Sequence, residues 1–277
     1  MSTASAALPL QERVLKLVKN PQFAWFLGHV TVLAGTLFYF FSLITFKSNP
    51  RAYSTAYLGA LVSYGVVVYK SLGIPQANAA YVQRLMLDEN FQYFMLAFYW
   101  YCNKPITVTL IPFATYSVFH ATSYVRSNVI PTLFPVSNVQ TNGNNSAQVN
   151  NAWQTKIQRK IKAWTDMRYG MAMKFVAQVE VVGLMGRLIL GAITFQSSLL
   201  APLLFAHFLR LRYHLSSYTR GAFRELNSRL DKLLLPPTAH PSIPPAVGNA
   251  YTTIKGYIIK YSQAGIQQAP QPQPQAQ

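Results

Sequence analysis

From Phe23 to Phe46 the chain runs for 24 residues without a formal charge. That exceeds the ~20 apolar residues needed to cross the hydrocarbon of a bilayer. A transmembrane helix over 23–46 follows, and the remaining segments have to be arranged around it. Composition agrees, because 51% of residues are hydrophobic and 11% charged, against ~25% charged in soluble domains.

A second apolar run, Ala52 to Leu72, follows a short turn at Asn49-Pro50 bracketed by Lys47 and Arg51, so a second spanning helix is expected over 52–72. Ala52, Ala56 and Ala60, with Gly59 and Ser63 beside them, provide a small-residue strip on which the first helix can pack closely. Ahead of both spans, Leu10, Val14, Leu17 and Val18 share a helical face among Glu12, Arg13, Lys16 and Lys19. This makes residues 1–22 a cytosolic amphipathic lead-in. The N-terminal stretch lacks the basic start and apolar core of a cleaved signal peptide, so the first span is expected to serve as the insertion signal.

Residues 73–90 are polar. Over 91–125 a single helix would have to carry Lys104, Pro105 and Pro112 through its middle. Proline denies the preceding residue helical geometry, which places Asn103-Lys104-Pro105 at the tip of a hairpin. A descending arm of about 13 residues reaches only about 20 Å, so the hairpin reads as shallow or wedge-like. Residues 126–152 are Asn-, Gln- and Ser-rich and read as a disordered linker. Asn144-Asn145-Ser146 within it is an N-glycosylation acceptor that would report topology.

In 153–170, Trp153, Ile157, Ile161 and Trp164 step at helical spacing among Lys156, Arg159, Lys160 and Lys162. This is a basic interfacial helix at an anionic surface, or a helix packed on the protein's own core. Residues 171–209 read as a second hairpin with its tip at Gln196-Ser197-Ser198. Glu180 and Arg187, seven apart, share one face of its first arm. They form either an intramembrane functional pair or two groups left at the interface.

Residues 210–262 carry two amphipathic helices. In the first, Ala222, Phe223, Leu226, Leu230, Leu233 and Leu234 recur at three- and four-residue steps, with Arg220, Arg224, Arg229 and Lys232 between them. After the hinge PPTAHPSIPP, the second carries Val247, Ala250, Tyr251, Ile254, Tyr257, Ile258 and Tyr261, with Lys255 and Lys260 off the stripe. Both are expected at the membrane surface, although a protein-docking stripe fits the second equally well. Residues 263–277 form a Gln/Pro tail that reads as disordered.

With 24 basic and 7 acidic residues the chain has a formal charge of +17. The charge flanks apolar runs, so the expected partner is an anionic lipid bilayer and not nucleic acid. Residues 126–170 hold six basic residues and one acid, and the region from Arg210 holds eight and two. Both belong on the cytosolic side, which requires an even number of crossings between them and puts both termini in the cytosol. The fold class is thus an all-α integral membrane protein with two transmembrane helices, two helical hairpins and cytosolic amphipathic helices.

His29, His120, His207, His214 and His240 are scattered, Cys102 stands alone, and no HExxH, GxSxG, CxxC or Gly-rich phosphate loop occurs. No enzyme, cofactor or metal site is expected. The leading reading is a membrane-organising protein that favours curvature. The alternatives are a small transporter or lipid-moving protein using Glu180 and Arg187, and a scaffold that docks proteins through its C-terminal helices.

Two blocks carry a family resemblance. One is NKPITVTLIPFATYSVFHATSYV, with Pro after the tip and Phe-His-Ala in the return arm; the other is FQSSLLAPLLFAHFLRLRYHLSSYTRGAFRELNSRL. The second holds Leu199, Leu200 and Pro202, then Phe208 to Tyr213, then Arg220, Phe223 and Leu226. These blocks resemble the transmembrane protein 33 (Krueppel homologue 2) family, whose fungal members include pore membrane proteins of the nuclear envelope. The Asn/Gln-rich linker, the Gln/Pro tail and the missing Arg-Arg-Asn-Pro after Arg-Tyr match a fungal-type member. The resemblance implies residence in the endoplasmic reticulum and nuclear envelope, and a role in nuclear pore assembly or distribution. It also implies reticulon-type membrane-shaping proteins, nuclear pore components and a nuclear import receptor as partners.

Overall fold

The computed structural model describes residues 8–135 and 153–263, and these are helical with no strand among them. The glycosylation acceptor, most of the expected linker and the Gln/Pro tail lie outside the described residues. The helices are α1 (Leu10–Lys19), α2 (Pro21–Ile44), α3 (Pro50–Leu72), α4 (Ala79–Leu87) and α5 (Glu89–Cys102). Next, α6 runs over 110–133 as Leu110–Tyr124, a π-helical turn Val125–Val129 and Ile130–Leu133. Then follow α7 (Trp153–Ile193), α8 (Leu200–Leu215), α9 (Ser217–Leu234) and α10 (Pro245–Gln263).

Polar caps set the starts. The Asn20 side chain accepts from Gln22 N ahead of Pro21, and Asn49 from Ala52 N ahead of Pro50. Asn78, Asp88 and Ser216 do the same for α4, α5 and α9. Each cap satisfies an amide that the first turn leaves without a partner, and proline at N1 has no amide to satisfy.

Six helices form three antiparallel hairpins whose tips share one end of the bundle. Tyr39 reaches Thr107 at 3.3 Å, His29 reaches Ser117 at 2.9 Å, and Phe26 stacks on Tyr124 at 4.6 Å, so α2 and α6 run in opposite directions. Tyr53 and Tyr57 both bond Thr109, at 2.9 and 2.6 Å, which seats the tip end of α3 on the start of α6. The α2–α3 and α7–α8 tips each contain a phenylalanine with left-handed backbone, Phe46 (φ 54°) and Phe195 (φ 55°). These are 97% and 89% exposed. Bulky residues rarely adopt that backbone, so two such phenylalanines point outward at one end of the bundle.

The α2–α3 crossing is close because its contact atoms are backbone. A Cβ on Gly35 would fall 2.7 Å from Ala56 N, and one on Gly59 would fall 2.6 Å from Gly28 O. Ala52, Ala56, Ala60 and Ser63 are buried along the same strip. In lipid, where apolar side chains gain nothing by leaving the solvent, such close backbone approach is a main source of helix association. The outer faces of α2, α7 and α8 expose Leu37, Phe38, Phe41, Ile189, Leu190, Ile193, Leu200 and Leu203. An apolar surface of this extent belongs in a bilayer.

Several segments depart from the expected boundaries. Among the described residues, two helices are long and apolar enough to cross a membrane, Pro21–Ile44 and Trp153–Ile193. The expected second span, 52–72, is the helix α3, but it is rich in tyrosine and serine and its buried side chains face α2 and the tyrosine core. The basic segment 153–170 is not a separate interfacial helix. It continues directly into the first arm of the second hairpin, because no proline or cap intervenes and the Thr165 hydroxyl bonds back to Ile161 O. At 1.5 Å per residue its 41 residues measure about 60 Å. Helix α6 likewise runs eight residues into the expected linker, and α4 occupies part of the polar stretch 73–90.

The α9 helix does not lie flat. The Tyr218 hydroxyl lies 3.8 Å from the Cβ position of Gly170, and Gln178 bonds Glu225 at 2.9 Å. Positions seven to eight residues apart therefore match in the same direction, and α9 runs parallel to α7 and folds back along α8. α10 returns antiparallel to α9. Gly248 packs on Leu234 O at one end, while at the other Arg210 lies 5.0 Å over the Tyr261 ring.

A buried charge relay between the hairpins

The middle of the bundle holds one polar chain. Arg212 Nη2 on α8 donates to the Tyr116 hydroxyl at 3.4 Å, and the Tyr93 and Tyr116 hydroxyls lie 2.9 Å apart. Tyr93 in turn donates to Glu180 Oε1 at 2.6 Å. Since the one Tyr93 proton goes to Glu180, Tyr116 donates to Tyr93, and all three bonds point from the guanidinium to the carboxylate. Arg212 also pairs with Glu89 on α5 and lies 5.4 Å over the Tyr93 ring. Glu180 is 1% exposed and Arg212 7%. A charge so deep requires partners: α5 supplies Tyr93 and Glu89, α6 Tyr116, α7 Glu180 and α8 Arg212.

The expected pairing of Glu180 with Arg187 is not formed. Glu180 faces the bundle core, whereas Arg187 is exposed on its outside. The π-helical turn Val179–Leu184, which contains Glu180, shifts the helical register, so positions seven apart no longer share a face. Its charge partner is Arg212, reached through Tyr93 and Tyr116 and one of the basic residues that the charge count placed on the cytosolic side.

The residues expected at the membrane surface fall into three groups. On α7, Lys156, Arg159, Lys160 and Lys162 are exposed, with Trp153 edge-on to Phe134 and Trp164 stacked on Phe119. On α9, Phe223 and Leu226 pack against the core, Leu230 is half-buried, and Arg220 donates to Tyr213 O and His214 O at the end of α8. Arg224 and Lys232 are exposed, and Arg229 pairs with Glu225 at 2.6 Å. On α10, Ile254, Tyr257, Ile258 and Tyr261 are all exposed. Its other face is fixed by Asp231, which accepts from Lys255 at 2.8 Å and from Tyr251 at 2.6 Å. These bonds hold the Asp231 carboxyl below its ordinary value. Among the described residues no group of three or more His, Cys, Asp or Glu is placed to hold a metal ion.

Hairpins with lipid-exposed outer faces, held by a polar relay in their centre, define an all-α integral membrane protein. The profile of the Transmembrane protein 33/Nucleoporin POM33 family matches residues 10–264, and the chain belongs to that family. It is 34% identical to Tetra-spanning protein 1 of Schizosaccharomyces pombe, over 93% of this chain and 90% of that protein. It is also 34% identical to Nucleoporin POM33 of Chaetomium thermophilum, over 83% of each. Identity to the Pore membrane protein of 33 kDa of Saccharomyces cerevisiae is 30%, over 95% and 91%. No solved structure matches the chain.

Proposed function

We propose that the chain is a non-enzymatic membrane-organising protein of the endoplasmic reticulum and nuclear envelope, with both termini cytosolic, that contributes to nuclear pore assembly or distribution. The pore-related names of two relatives support the location.

The observation that carries the mechanism is the outward stripe of α10, in which Ile254, Tyr257, Ile258 and Tyr261 are all exposed. An apolar stripe seated in one head-group layer adds area mainly to that leaflet and favours curvature. The exposed α10 stripe and the basic face of α7 add attraction to an anionic surface, at roughly 1 kcal/mol for each Lys or Arg near it. Reticulon-type proteins and pore components are the partners this role calls for.

The test images a fluorescently tagged full chain carrying Ile254→Ser, Tyr257→Ser and Ile258→Ser. The variant should leave the pore-rich nuclear envelope and remain in the reticulum. A distribution identical to the parent would remove α10 from the mechanism. Full chain reconstituted into vesicles should narrow them, and vesicles of unchanged diameter would exclude the curvature role.

A further inference from the structure

A groove opens between α6 and α7 at the end of the bundle opposite the hairpin tips. It consists of two cavities, about 340 and 210 Å³, that meet at Phe119, His120 and Tyr169. The smaller is lined by Ser123 and Arg126 of α6 and by Lys162, Thr165 and Asp166 of α7.

Three features give it a ligand chemistry. Arg126 begins the basic side of the groove inside a π-helical turn, a local widening that often accompanies function, and its buried Nε has no hydrogen-bond partner. Lys162 faces Asp166 at 4.0 Å with both side chains about two-thirds exposed, a pair too weak to resist a competing anion. Trp25 lies 5.3 Å from His120 and Trp164 stacks on Phe119 at 5.6 Å, and tryptophans mark the depth of lipid head groups. The larger cavity adds apolar walls from Met173, Phe119 and Tyr169. Its own cation, Arg212, is already committed to Glu89 and Tyr116.

We propose that this groove binds a single anionic phospholipid by its phosphate. Arg126 presents a planar fork to the phosphate oxygens and Lys162 a mobile point charge, the combination that basic clefts between membrane helices use for phosphorylated head groups. The Ser123 hydroxyl donates from the α6 side, and the glycerol end lies against Phe119, Tyr169 and Met173. This is a site for one lipid, separate from any general attraction of the basic surface, and it does not rest on the pore-related reading.

The test measures saturable binding of a short-chain phosphatidylinositol phosphate to the purified full chain in phosphatidylcholine nanodiscs. Arg126→Gln with Lys162→Gln should weaken it about tenfold or more, since each charge-assisted bond contributes about 1.5–3 kcal/mol. Lys156→Gln with Lys160→Gln removes the same charge outside the groove and should leave binding unchanged. Equal loss in both pairs would reduce the effect to surface charge and overturn the site. Ser123→Leu, which fills the groove and keeps its charge, should also weaken binding; retention of full affinity would overturn it. If inorganic phosphate at equal concentration displaces the lipid completely, the ligand is a soluble phosphate and the lipid assignment fails.

Discussion

The Tyr93 hydroxyl donates a 2.6 Å hydrogen bond to the Glu180 carboxylate, joining the α5–α6 hairpin to the α7–α8 hairpin in the centre of the bundle. Arg212 closes the same chain from the opposite side through Tyr116. The two hairpins are therefore held by a charge pair that is relayed through two phenols.

Removing one member of a buried charge pair leaves the other without compensation, at about 3–5 kcal/mol. Arg212→Met should lower the thermal midpoint of the detergent-solubilised chain by several degrees. Glu180→Gln keeps an acceptor for Tyr93 and leaves Arg212 its partner Glu89, so it should cost about 1 kcal/mol or less. Fluorescence-detected size exclusion after heating measures both, and equal losses would mean that the carboxylate charge itself is required.

Arg187 is exposed and far from this relay. Arg187→Gln should change stability by no more than about 0.5 kcal/mol and leave localisation intact. A defect as large as that of Arg212→Met would restore the transporter-like pair.

Gly35 and Gly59 meet backbone atoms that cannot move aside. Gly35→Val and Gly59→Val should each separate α2 from α3 and cost about 1–3 kcal/mol, occasionally more. Gly186→Ala, where a methyl group meets nothing within 4 Å, is the matched control and should be neutral in the same melt.

The clamp on α10 has a defined pH response. Hydrogen bonds from Lys255 and Tyr251 depress the Asp231 pKa below its ordinary 3.8, so its stabilising contribution is present above that value and lost as the pH falls through the depressed one. Tyr251 is raised to about 12, by desolvation first and then by its bond to Asp231. Its contribution is present below its ordinary value of 10.0 and lost as the pH rises through about 12. Hydrogen exchange of the α10 amides should therefore report constant protection between roughly pH 5 and 9. Asp231→Asn should raise exchange within that window, and unchanged protection would show that α10 is held by its apolar contacts alone.

Periodicity and proline spacing made much of this fold legible. The uncharged run at 23–46, the turn at Asn103-Lys104-Pro105 and the turn after Ile193 are local properties, set by side-chain polarity and by the missing amide of proline. The small-residue strip on α3 was readable for the same reason, because Gly and Ala at four-residue steps must share a face. Charge spacing alone failed at Glu180. A seven-residue separation predicts a shared face only while the helix keeps its regular register, and the π-helical turn at Val179–Leu184 breaks it.

By itself, then, the sequence determined that the chain is helical, enters membrane and turns at prolines and polar tips, since each depends on residues within a few positions of one another. Only the tertiary structure decided which polar groups meet. Arg212 finds Glu180 through Tyr93 and Tyr116, and α9 turns Phe223 and Leu226 into the core while α10 leaves Tyr257 and Ile258 outside. An apolar stripe fixes that a helix has a face to cover. Whether lipid or protein covers it depends on where the neighbouring helices stop, and that is a property of the packed bundle.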